Sequence, residues 1–156
     1  MNKEKVLFLL SEEYTALSQL ERCTEALLEA PTDDFDDLLK ERGSYLNRAV
    51  SAESHLKKLR AADEELCNVL SGNAMLSSLA PDMKEIFEAS LRVKATLCRI
   101  GHLDTPVLTR MENERADALN HIEEINRSSG SIAGSYGAAV RTAMTNQALS
   151  SNGMTV

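Results

Sequence analysis

Residues 33–71 read DDFDDLLKERGSYLNRAVSAESHLKKLRAADEELCNVLS. Alternating steps of three and four from Phe35 give Leu38, Arg42, Tyr45, Ala49, Ala52, Leu56, Leu59, Asp63, Leu66 and Leu70. Nine of these eleven positions are apolar or small, the pattern of a heptad seam on one long helix. At 1.5 Å per residue the segment would extend roughly 58 Å. A globule of this mass is narrower than that, so the helix must lie along neighbours of comparable length. Arg42 and Asp63 interrupt the seam. A lone buried charge is costly, so each is expected to reach the edge or to meet a partner. Polar seam residues of this kind fix the register between helices.

Working outward, Pro31 separates this segment from an earlier amphipathic one, Lys3 to Ala30. There Leu7, Leu10, Tyr14, Leu17, Thr24 and Leu28 form a stripe, widened by Leu20 and Leu27. Most charges, among them Glu12, Glu13, Glu21 and Glu25, fall to the other face. The residue before a proline is pushed out of helical geometry, which ends the first helix. Asp33, Asp34, Asp36 and Asp37 crowd the start of the second. They suit the positive end of a helix dipole. A calcium loop would need a glycine-bearing turn and a distal Glu at set spacing, and neither is present.

Gly72 is placed to close the second helix in a left-handed conformation. After the connector NAMLSSLA (73–80), Pro81 suits the first turn of a third helix, with Ile86, Val93, Leu97 and Ile100 as its stripe. At Gly101–Pro106 the pattern weakens. Either the helix stops and restarts at Pro106, or one long helix kinks there, and the traceable apolar positions favour the kink. From Leu108 the seam resumes through Met111, Arg115, Ala118, Ile122, Ile125, Ser129, Ile132 and Tyr136. Gly130, Gly134 and Gly137 each cost a helix about 1 kcal/mol relative to Ala, so this end is expected to fray. The fold expected is all-α: an elongated antiparallel helical hairpin or bundle of three to four long helices with coiled-coil-like packing. The helices would cover about 3–30, 33–71, 82–100 and 106–136 of a single domain over 1–144, followed by a polar tail, 145–156.

Composition narrows the function classes. The 156 residues are 43% hydrophobic, 26% charged and 4% aromatic, with no Trp. That is thin for a β-rich core but sufficient for Leu/Ala helix packing. The net charge of −7 comes without a basic block, which argues against nucleic acid and anionic membrane surfaces as partners. Val6–Leu10 is too short for a signal-peptide core, and no apolar run approaches a bilayer span. Cys23, Cys67 and Cys98 are odd in number and widely spaced. This suggests a reducing compartment, the cytoplasm, with mostly buried thiols that fill core space.

No catalytic constellation emerges. His55, His102 and His121 each lack the Glu three residues earlier that a di-iron bundle requires. There is no G-x-S-x-G, phosphate loop or H-E-x-x-H. The glycines after Arg127 follow no strand and flank no apolar span. No enzyme activity, catalytic residue, metal or cofactor is expected. The most suggestive segment is Met111–Tyr136, amphipathic yet weak in helical propensity where its apolar positions continue. Such a helix either completes the bundle or is offered to a partner's groove.

The helix followed by DDFDDLLKERGSYLNRAVSAESHLKKLR, together with the run RMENERADALNHIEEINRSSGSIAGSYGAA, resembles bacterial flagellar export chaperones of the FlgN and FliT type. The resemblance extends from about Val6 to Val140 and rests on the order of the pieces. It implies a cytoplasmic type III export chaperone. Such a protein binds amphipathic helices of secreted hook-associated or filament-cap proteins and delivers them to a component of the export gate. It also implies that the C-terminal helix takes part in substrate binding. The partner-binding residues expected are Met111, Leu119, Ile122, Ile125, Ile132 and Tyr136, with Tyr136 matching a tyrosine associated with docking to the export apparatus. A weak homodimer is compatible with this reading. The alternative is a coiled-coil scaffold without catalytic activity that self-associates through the same seam.

Overall fold

In a computed structural model the described residues are 1–152, except that the side chains of 131–133, 136, 143 and 145–152 lie outside the description. Four α-helices follow one another: α1 (Lys3–Glu29), α2 (Phe35–Ala61), α3 (Glu64–Ser71) and α4 (Pro81–Asn152). Single 3-10 turns at Thr32–Asp34 and Leu76–Ser78 occupy the joints. No strand occurs among the described residues, and the fold is an all-α helical bundle. The chain divides into two units, Met1–Arg110 and Met111–Val156.

The first unit is a three-helix bundle closed at one end by α3. Asn2 starts α1 by accepting the Lys5 backbone N–H on its side-chain oxygen at 3.0 Å. Ala30 stops it in an extended conformation before Pro31. Contacts between α1 and α2 pair Glu12 with Arg48, and Cys23 and Thr24 with Glu41 and Arg42. Positions rise on one helix as they fall on the other, so the two are antiparallel. Residues 81–110 of α4 run parallel to α1: Lys3 binds Asp82 and Glu85 at 2.8 and 2.7 Å, and Glu21 binds Arg99 at 2.7 Å. At the far end Arg110 donates to the carbonyls of Leu27, at 2.7 Å, and Ala30. These are carbonyls that the end of α1 leaves without helical partners. The same guanidinium lies 5.0 Å from the centre of the Phe35 ring.

The buried side chains confirm the heptad seam and shift the face of α1. Phe35, Ala49, Ala52, Leu56, Leu66 and Leu70 are buried, with Leu38, Tyr45 and Leu59 half-buried. In α1 the core face runs Val6, Leu10, Glu13, Leu17, Leu20, Thr24, Leu27. Tyr14, expected on the stripe, is exposed, and Glu13, expected outside, is buried. In α4 the core is built from Met83, Ile86, Val93, Ile100 and Val107, while Leu97 is exposed. Ser90 and Thr96 also face inward, their hydroxyls donating to the carbonyls of Phe87 and Arg92. Bonds back to the preceding turn let a polar side chain occupy a buried position.

Three sequence expectations change. The segment 33–71 is two helices, because Asp63 is extended (φ −143°, ψ 108°) and caps α3 by accepting the Leu66 N–H at 3.0 Å. Asp63 followed by Glu64 and Glu65 is a helix start written into the seam. The break lets Leu66, Val69 and Leu70, all buried, fold over the end of the bundle. Second, α4 runs further than expected, while its passage through Gly101–Pro106 as one helix is the reading that the apolar positions favour. The proline removes the N–H that the His102 carbonyl would accept, and His102 is exposed, so water can take that place. The helix also continues to Asn152, past the glycines and into the segment expected as a tail. Third, only Cys23 is buried; Cys67 is half-buried and Cys98 exposed.

Two other expectations hold. Arg42 meets partners, donating to the Thr24 hydroxyl at 3.1 Å and to Asp104 at 3.0 Å, which ties the three long helices together. Gly72 is left-handed, at φ 78°, and ends α3 with the Gly72 and Asn73 N–H groups bonded to Val69 and Asn68.

Candidate functional site

The second unit carries most of the sequence-predicted partner residues in plain view. Met111 is half-buried, and every residue from 115 to 130 is exposed. Leu119, Ile122 and Ile125 expose 52%, 52% and 51% of their surface. That is about what remains when a side chain is covered only by its own helix. In the first unit Ile86 and Ile100 expose 0% and 6%, so the two sets of isoleucines have opposite fates. At 100° per residue Met111, Leu119, Ile122 and Ile125 fall within roughly a 120° arc. Val140 and Met144, also exposed, return to the same arc. Ile132 and Tyr136 belong to α4, but their side chains lie outside the described residues.

The charges around this stripe are mostly acidic, with Arg115 standing on the stripe itself. Between 111 and 127 stand Glu112, Glu114, Asp117, Glu123 and Glu124 against Arg115 and Arg127. Arg127 and Glu123 approach only to 3.9 Å and are both well exposed, a pair worth little in water. An apolar stripe with acidic flanks favours a partner helix whose own apolar face is bordered by Lys or Arg.

Other candidates offer less chemistry. Burial raises the Cys23 thiol pKa, and Glu41, whose carboxylate the thiol faces at 3.8 Å, raises it further. Both effects oppose the thiolate that nucleophilic chemistry needs. His55 bonds its Nδ1 to the Ser51 carbonyl at 2.7 Å on the surface. No cluster of three or more potential metal ligands occurs among the described residues. Asp33 and Asp34 lie in the 3-10 turn, and Asp36 and Asp37 in the first turn of α2, all exposed. Among the described residues no helix is long and apolar enough to cross a membrane.

Sequence reading missed Glu13. Its carboxyl is held up at about 7, first by burial and then by the nearby charge of Glu53, with Arg60 opposing. The signal was available: Glu13 stands three residues after Leu10 and four before Leu17, in step with the buried positions of α1. Its charge led to assignment on the outer face. The chain matches no protein-family model, no curated protein and no solved structure.

Proposed function

We propose that this protein is a cytoplasmic export chaperone of the flagellar type III kind. It would bind an amphipathic helix of a hook-associated or filament-cap protein through α4 and present it to the export gate. The observation that supports this reading is the uncovered stripe of Leu119, Ile122 and Ile125, continued by Val140 and Met144. Fully covering a large aliphatic side chain contributes about 1.5–3 kcal/mol. With half of each already covered by its own helix, five such residues would contribute roughly 5 kcal/mol in all. Micromolar binding corresponds to about 8 kcal/mol. The partner must therefore add polar contacts, for which the acidic flanks are suited. The docking role of Tyr136 belongs to this proposal too.

The test is recovery of purified hook-associated and cap proteins by the wild type and by Ile122→Asp/Ile125→Asp. Both positions are exposed, so the variant should keep its helical content and unfolding midpoint while losing the partner. Equal recovery by both forms would refute this surface. Sedimentation addresses the competing scaffold reading. A chaperone should be a monomer or weak dimer, whereas a stable oligomer that the double variant dissociates would favour self-association.

A further inference from the structure

The first unit contains a pocket of about 180 Å³, partly open to solvent, lined half by apolar and half by polar side chains. Leu10, Leu56, Leu70, Val93 and Leu97 form the apolar half of the wall, and Ser90 adds a hydroxyl from α4. Four charged side chains reach it: Glu13 from α1, Glu53 and Arg60 from α2, and Lys94 from α4, while α3 contributes only Leu70. Two of the charges already have partners. Arg60 binds Glu53 at 3.2 Å. The Lys94 ammonium lies beside Gly72, 3.1 Å from where a Cβ would stand, at the carbonyl end of α3 where a cation is favoured.

Glu13 is left over. The residue is 6% exposed, and no donor among the described residues hydrogen-bonds its carboxylate. No buried side-chain nitrogen or oxygen among the described residues lacks a partner. The Glu13 oxygens therefore keep access to the cavity space. An unpaired carboxylate beside a partly apolar wall is a poor host for an anion and for a metal ion, which would need further oxygen ligands. It is a good host for one cationic hydrogen-bond donor on a short hydrocarbon body. By volume alone, a cavity of about 150 Å³ accepts benzene, so this pocket has room for roughly six heavy atoms in place of water.

We propose that this cavity is a binding site for a small organic ammonium, its charge on Glu13 and its chain against Leu10, Leu56 and Val93. The site is distinct from the stripe on α4 and does not depend on the chaperone reading. The ammonium could arrive as a free amine or as the lysine side chain of another molecule. Deprotonation of Glu13 should accompany binding. With its pKa at about 7, apparent affinity for an always-protonated amine should rise about tenfold from pH 6 to pH 8.

The probes are n-pentylamine, n-pentanol as its neutral counterpart, and Nα-acetyl-lysine methylamide, titrated into the full chain in amine-free phosphate. Methyl chemical shifts of Leu10, Leu56 and Val93 provide the readout. Pentylamine or the lysine derivative should move these methyls at pH 8, about tenfold more weakly at pH 6, and pentanol should bind at least tenfold more weakly than pentylamine. The stronger of the two amines distinguishes a free ligand from a presented side chain. Glu13→Gln should weaken binding about tenfold or more. Leu97→Trp, at a position nearly half exposed, should obstruct the cavity while sparing the core. Pentanol binding as well as pentylamine, an unaltered response in either variant, or no movement of these methyls would overturn the proposal.

Discussion

Replacing Glu13 with Gln should make the protein more stable than the wild type at pH 8 and leave it nearly equal at pH 5. The carboxyl pKa rises from 4.5 to about 7 in the fold. The folded state therefore holds the proton more tightly than the unfolded chain. Stability from this group is fully present below the unfolded value and is lost as pH rises through the folded one. Between pH 5 and 8 those two values give a loss of about 2.5 kcal/mol at 1.36 kcal/mol per pKa unit. Access of the carboxyl oxygens to cavity water reduces this, so about 1–2.5 kcal/mol is expected. For a unit of this size that corresponds to a fall of roughly 4–10 °C in Tm. Gln keeps the shape and cannot ionise, so the wild-type-minus-variant difference isolates residue 13 from every other titration. Urea and thermal unfolding followed by circular dichroism in amine-free buffer at pH 5, 6, 7 and 8 would measure it. Parallel pH profiles for the two proteins, or a wild type that gains on the variant towards pH 8, would refute the burial argument.

Asp63→Leu separates two readings of the long seam: on one continuous helix it would stabilise, whereas loss of the α3 cap should destabilise by about 1 kcal/mol in urea unfolding. Arg110→Ala should cost about 2 kcal/mol, since it removes two charged donors from the end of α1 and the contact with Phe35. Gly72→Ala should lower the unfolding midpoint by the equivalent of about 1 kcal/mol because φ is 78°. Gly43→Ala should instead raise stability by about 0.5–1 kcal/mol, its Cβ meeting nothing within 4 Å although the residue is half-buried in α2.

Helices that announce themselves by periodicity were readable from sequence, and so were ends set by local chemistry. Pro31 and Gly72 act through backbone geometry that needs no tertiary partner. The α2 seam was visible because each apolar position repeats the same demand. Misreadings arose where one residue had two local roles. Asp63 fits a heptad with a polar flaw and also fits a helix cap, and only the need to cover the bundle end with Leu66 and Val69 decides between them. Glu13 was hidden for a different reason. Its burial depends on the apolar neighbours that α2, α3 and α4 bring, none of which is near it in sequence. Along Leu119–Ile125 the periodicity was legible, but a seam looks the same whether it is covered or free.

The opposite directions of α1 and α2, with residues 81–110 parallel to α1, suggest an order in time. Contacts between α1 and α2 join residues 18 and 36 positions apart, whereas those between α1 and α4 join residues 78 to 83 apart. Closing the longer loop costs on the order of 1 kcal/mol more. The α1–α2 hairpin should therefore nucleate first, with the parallel helix docking afterwards. A chain emerging from the ribosome would complete that hairpin while residues 81–110 are still unavailable, leaving the face of Leu10, Leu17 and Leu56 without its third wall. Pulse-labelling hydrogen exchange during refolding should show α1 and α2 amides protected before those of 81–100, and simultaneous protection would contradict this order.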